Sequence, residues 1–268
     1  MKALLTFGTI AVIGAMTTVS AATVVGNVGD DAAFATYMNG FPGFNLPVDY
    51  TQEVFAAQAR IGNNQTNGTN EIGLHRNNPA DATPPTNSSP EVPTVGDANL
   101  VWGTAGGGNA TFKLELKRLG ITISFRLFQG SPLSPTTTYY AAEFDDSNAA
   151  NVSLLDFRTA ATASSTISLT NLILTQGSTT TTGFDSTTSG TVRQNVVVKD
   201  LIGDFVLAGD TTLNWTGSAP TNSGLSWQIK AFRGLPSADS AVPEPGTIGM
   251  ALSGAAMILL ARRRLARV

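Results

Sequence analysis

The chain has no cysteine, and in 268 residues it has a single histidine, His75. Without thiols there is no disulfide framework, no thiol nucleophile and no Cys-ligated metal. One imidazole cannot supply a His-based zinc site, which takes three or four ligands. A Ser–His–acid triad would have to use His75, and no serine stands in a Gly-x-Ser-x-Gly setting. His75 lies beside Arg76 in a polar, Asn-rich stretch and reads as a solvated loop histidine. The glycine-rich Gly103–Asn109 segment lacks the lysine of a phosphate-binding loop and precedes a strand pattern, so it reads as a turn.

Charge is also scarce, at 13% of residues with a formal net charge of −3. The balance is unevenly placed. Lys2, Arg262, Arg263, Arg264 and Arg267 lie at the two ends, which leaves 11 basic against 19 acidic residues, or about −8, on the body. An acidic body is a poor partner for a phosphate backbone, so nucleic acid is not an expected ligand. A solvated, exported β-protein with long polar loops fits the abundance of Thr, Ser, Asn and Gly.

What is present is ordered from end to end. Met1-Lys2 starts positive, and Ala3 to Val19 is uncharged and mostly apolar. Ser20, Ala21 and Ala22 place small residues for cleavage after Ala22, with cleavage after Ala21 as the alternative. Residues 1–22 therefore read as a signal peptide handled by a Sec-type export machinery. A permanent N-terminal anchor is the competing reading.

The other end has three parts. Val242-Pro243-Glu244-Pro245 is held extended by its prolines. Thr247 to Ala261 is uncharged and mostly apolar, and Arg262, Arg263, Arg264 and Arg267 close the chain. The apolar run is shorter than the ~20 residues of a full span. Snorkelling arginines and local bilayer thinning extend its reach. Small residues such as Gly249, Ser253 and Gly254 suit close helix packing in lipid. Residues 246–268 thus read as a single transmembrane helix with a basic cytoplasmic tail, by the positive-inside rule. The alternative is a C-terminal core helix, which an Arg-rich end and the lack of a polar face argue against.

This tail resembles the PEP-CTERM sorting signal of bacterial exported proteins, over about the last 28 residues. The resemblance implies recognition by an exosortase and processing near Pro243-Glu244-Pro245. It also implies transient retention in the inner membrane of a Gram-negative-type bacterium, then delivery to the cell surface or an extracellular polysaccharide matrix.

Between the ends, period-two alternation dominates. Phe112, Leu114 and Leu116 alternate with charged residues, and Ile121, Ile123, Phe125 and Leu127 alternate with polar ones. Arg118-Leu119-Gly120 reads as the hairpin between them. Further strands are expected at 139–144, 152–158, 166–175, 191–199, 204–207, 211–215 and 226–232, with a bulge or bend where the faces switch at Asn171. Residues 53–61 read as a strand, with a short helix as the alternative. Asp31–Met38 spaces Phe34, Tyr37 and Met38 as on a short helix. Residues 62–96 are low in complexity and read as a flexible loop.

The organisation expected is therefore a 23–98 N-terminal part, a 99–235 main β region and a 236–245 linker with the sorting motif. The fold class is all-β, an antiparallel sandwich, jelly-roll-like or Ig-like. Trp215, Trp227 and Phe205 are expected in the core. The phrases Gly203–Trp215 and Leu225–Phe232 resemble the "choice-of-anchor" β domains often joined to such tails.

Candidate chemistry is thin. Carboxylates cluster at Asp30-Asp31 and at Glu143, Asp145 and Asp146. The second group is a candidate calcium site or, as Glu143 with Asp145, a glycosidase pair. The plain alternative is a polar strand edge and turn. No cofactor is expected. Asn-x-Ser/Thr triplets at Asn64, Asn67, Asn87, Asn109, Asn151 and Asn214, and the hydroxyl-rich Thr136–Thr138 and Ser178–Thr182, are candidate glycosylation sites. The expected function is that of a non-enzymatic structural or adhesive surface protein. A carbohydrate-binding module using Tyr139, Tyr140 or Trp102, and a secreted hydrolase, are the alternatives.

Overall fold

A computed structural model describes residues 21–47, 50–61, 71–76, 94–99, 103–104, 107–108, 111–131, 134–218, 220 and 224–235. The chain runs β1 (Thr23–Gly29), α1 (Asp31–Met38), β2 (Glu53–Ile61), β3 (Glu71–Arg76), β4 (Thr94–Asn99), β5 (Gly103–Thr104) and β6 (Gly107–Gly108). It continues through β7 (Thr111–Leu119), β8 (Thr122–Ser131), β9 (Ser134–Asp145), a 3-10 turn (Ser147–Asn151), β10 (Val152–Ala160) and β11 (Ser165–Gln176). Then come β12 (Thr179–Thr181), β13 (Ser186–Ser189), β14 (Arg193–Lys199), β15 (Phe205–Trp215) and β16 (Leu225–Arg233).

The strands make two large sheets, and every pairing among the described residues is antiparallel. The first has the order β1-β14-β10-β16-β2-β3-β4. The second has β12-β11-β15-β7-β8-β9, with β13 also on β11. Alternation puts one face of each sheet on a shared core. Phe55, Leu74, Phe157, Trp227 and Ile229 come from the first sheet. Leu114, Phe125, Leu169, Phe205 and Trp215 come from the second. Trp227 meets Phe125 edge-on, with ring centroids 5.9 Å apart. The expected all-β, two-sheet architecture and the three expected core aromatics are present.

Several local expectations hold for physical reasons. β7 and β8 pair through a tight turn at Gly120-Ile121, where Gly120 has φ +62°. The face switch at Asn171 is a bulge. Asn171 has φ +52°, and the β11–β15 register jumps between Thr170 and Ile173. The Asp185 carboxylate accepts from the backbone N–H groups of Asn171 and Leu172 at 3.2 and 3.0 Å, filling the gap between β12 and β13.

Others are corrected. Residues 204–207 and 211–215 are one strand, β15, and Gly209 is not a turn. A Cβ at Gly209 would lie 2.6 Å from Leu172 Cδ2 and 3.1 Å from the Thr170 carbonyl oxygen. Glycine is needed there because the bulge presses on it. The 62–96 stretch is not a loop throughout, since it contains β3, the neighbour of β2. His75 is on that strand and 4% exposed, not solvated. Strands from 23–98 and from 99–235 pair directly, β2 with β16, so the two parts share one sheet.

The expected transmembrane segment 246–268 lies outside the described residues. Among the described residues no helix is long and apolar enough to cross a membrane.

Candidate functional site

The outward face of the first sheet is covered at one end. Leu154 of β10, Val197 of β14 and Phe232 of β16 point away from the main core, and α1 lays Phe34 and Met38 over them. Phe44, Leu46 and Leu235 complete this second cluster. Asp30 caps the helix by accepting from the Ala32 and Ala33 N–H groups at 3.1 and 2.9 Å. Asn39 clamps the following loop, donating to the Leu46 carbonyl at 2.7 Å and accepting from its N–H at 2.6 Å.

Beside this lid the same face turns polar. One row across the strands holds Asn195, Arg158, Gln228 and Gln58. The next places Asp156 opposite Lys230. These residues, with α1 and Tyr50, line a cleft of about 1110 Å³.

Most of its groups are engaged. Arg158 donates to both oxygens of Asp31 at 2.7 and 2.9 Å, and Arg193 donates to the same carboxylate at 3.0 Å. Partial burial works against ionisation of Asp31. The Arg158 fork and then Arg193 outweigh it and lower the carboxyl to about 2. Lys230 pairs with Glu53 at 3.2 Å and sits 5.4 Å from the Tyr50 ring centre. Gln228 donates to Gln58 at 2.8 Å, and the Gln58 amide donates to His75 Nε2 at 2.7 Å.

Asp156 differs. It is 1% exposed, and among the described residues neither carboxyl oxygen has a hydrogen-bond partner. Burial pushes it up to about 8, against the pull of Lys230 and Arg158. The Asn195 side-chain oxygen also has no described partner.

The residues singled out from sequence are scattered. Ala22 is buried in the main core just before β1, and its carbonyl accepts from Thr181 Oγ1 at 3.4 Å. Val242, Pro243, Glu244 and Pro245, and Arg262, Arg263, Arg264 and Arg267, lie outside the described residues, as does Trp102. Glu143 and Asp145 are exposed on β9, and neither lines the cleft. Asp146 is turned inward, accepting from Arg76 at 2.9 Å and from the Asn148 N–H at 2.8 Å. The three carboxylates do not converge, and among the described residues no trio of metal-type ligands does. Tyr140 is buried, with its hydroxyl accepting from the Leu74 N–H at 2.8 Å. Tyr139 is 37% exposed, edge-on to Phe112 and donating to Gln129. Of the glycosylation candidates among the described residues, Thr137, Thr138, Asn151, Ser178, Thr180 and Thr182 are exposed.

No family model matches the chain, and no curated protein matches it.

Sequence reasoning missed the cleft because its residues are outward-facing polar positions, which read as solvated strand faces. One signal was available. Leu154-Leu155 and Val196-Val197-Val198 are apolar on both faces. A strand of that kind is covered on both sides.

Proposed function

We propose that the protein is an exported surface or matrix component, with the β-sandwich as its structural or adhesive body and the C-terminal segment as its sorting signal. The observation that carries the reading is the Val242–Pro245 motif, apolar run and arginine cluster, following a sandwich whose last described strand ends at Arg233. The tail spans the inner membrane as a helix, an exosortase processes it near Pro243, and the body passes to the surface or the extracellular polysaccharide. The absence of disulfides places stability on the core shared by the two sheets. A carbohydrate-binding role is the second reading. It is favoured by the amide- and hydroxyl-lined cleft rather than by Tyr140, which is turned into the core.

Intact mass of the protein from its native host, measured on membrane and released fractions, tests the sorting. A released species lacking both ends is the expected result. A C-terminus of full length found only in membranes would sink it. Added mass in hexose-sized steps would mark glycosylation.

A further inference from the structure

We propose that the outer-face cleft is a saccharide-binding site in which hydroxyls of a neutral hexose polymer donate to the carboxyl oxygens of Asp156 and to the amide oxygen of Asn195. The proposal rests on the surface-protein reading only for the source of its ligand. The chemistry of the cleft stands on its own.

The argument begins with what the site has in excess. Both Asp156 oxygens and the Asn195 side-chain oxygen are buried polar atoms without a hydrogen-bond partner among the described residues. Buried acceptors left unmade are costly, so a ligand that supplies O–H or N–H donors gains by entering. The two residues sit on neighbouring strands, one register step apart: Asp156 faces Val197, and Arg158 faces Asn195. A ligand with several donors along its length can reach both.

Charge then selects among donor-rich ligands. An ammonium group would approach Asp156 between Lys230 and Arg158, both of which carry positive charge toward it. An anion would find the cations of the cleft already engaged. Arg158 and Arg193 hold Asp31, Lys230 holds Glu53, and Arg60 has an interaction of its own. A neutral ligand rich in hydroxyls meets neither objection. The cleft is larger than the roughly 300–1,000 Å³ of a small-molecule pocket, so it has room for several sugar units. The surrounding amides, Gln58, Gln228 and Asn39, are the group type that fixes hydroxyl orientation.

Hydroxyl donors bind a carboxylate more strongly than a carboxylic acid. The groups facing Asp156 are Arg158 on its own strand, Lys230 on β16, Glu53 on β2 and Asp31 on α1, with Asn195 and Arg193 on β14 and Tyr50 in the loop. Burial holds the empty site's Asp156 protonated up to about pH 8. A bound saccharide favours the ionised form, so binding releases a proton and affinity rises with pH toward 8.

The test uses the full-length protein and titrates dextran, laminarin, mannan and galactan separately, with alginate as the anionic comparison. Retardation in affinity gels and calorimetry at pH 6 and pH 8 are the readouts. Expected is binding to at least one neutral hexan, about tenfold tighter at pH 8 than at pH 6. Asp156→Asn should weaken binding at pH 8 about tenfold and flatten the pH profile, with a melting temperature no lower than the parent's. Binding to none of the four hexans overturns the proposal. So does binding to alginate alone, or an Asp156→Asn variant with the parent's affinity and pH profile. A protein that binds a hexan but never leaves the membrane would remove the sorting reading and leave the cleft standing.

Discussion

Asp156 is a buried carboxyl group without a donor among the described residues, on a strand whose Leu154 and Leu155 are apolar on both faces. Its folded-state value, about 8, lies above that of an unfolded aspartate. The native state therefore holds a proton that the unfolded chain has released, and stability falls as pH rises from about 4 to 8. Asp156→Asn removes that slope. The variant should match the parent near pH 4. By pH 8 it should be more stable, by on the order of a few kcal/mol, as read by urea unfolding at both pH values. A difference that is the same at both pH values would mean that burial does not hold the proton. Asp31, on the same cleft, behaves oppositely. Its low value adds stability above pH 4 that is lost as pH falls through 2.

At the scale of elements, the β11–β15 pair shows what alternation does and does not reveal. The face switch at Asn171 was legible because Leu169 and Leu172 break a period of two. The continuity of β15 was not, because Ala208-Gly209-Asp210 carries turn chemistry in sequence. Only the partner strand explains the glycine: the bulge brings Leu172 onto it. Gly209→Ala should cost about 1–3 kcal/mol, because Leu172 is 1% exposed and has little room to move. Denaturant unfolding of that variant checks it. A neutral result would mean that Leu172 re-packs freely. β3 escaped notice for a different reason. Its residues Glu71-Ile-Gly-Leu-His-Arg76 sit between polar runs, and only Ile72 and Leu74 alternate. Two apolar positions are too few to mark a strand.

For the whole molecule, the two-sheet all-β class was legible from strand number and turn composition. The pairing order was not, since nothing local says that β16 lies between β10 and β2. The two sheets are also tied across their edges. Where the β3–β4 register slips between Gly73 and His75, the Leu74 N–H is taken by the Tyr140 hydroxyl from β9 of the other sheet. Tyr140→Phe keeps the ring in place and leaves that buried N–H without its acceptor. A loss of about 1–3 kcal/mol follows, with faster amide exchange at Leu74. Unchanged exchange there would show that the tie is not needed.

The central position of β16 has a consequence for how the chain is made. Synthesis runs from the N-terminus, so β2 and β10 appear long before Leu225–Arg233, the segment that joins them. Until then each presents a bare backbone edge, open to pairing with another copy of itself. The nascent protein is thus most prone to association just before β16 emerges. Any handling that holds the far end back keeps it in that unfinished state.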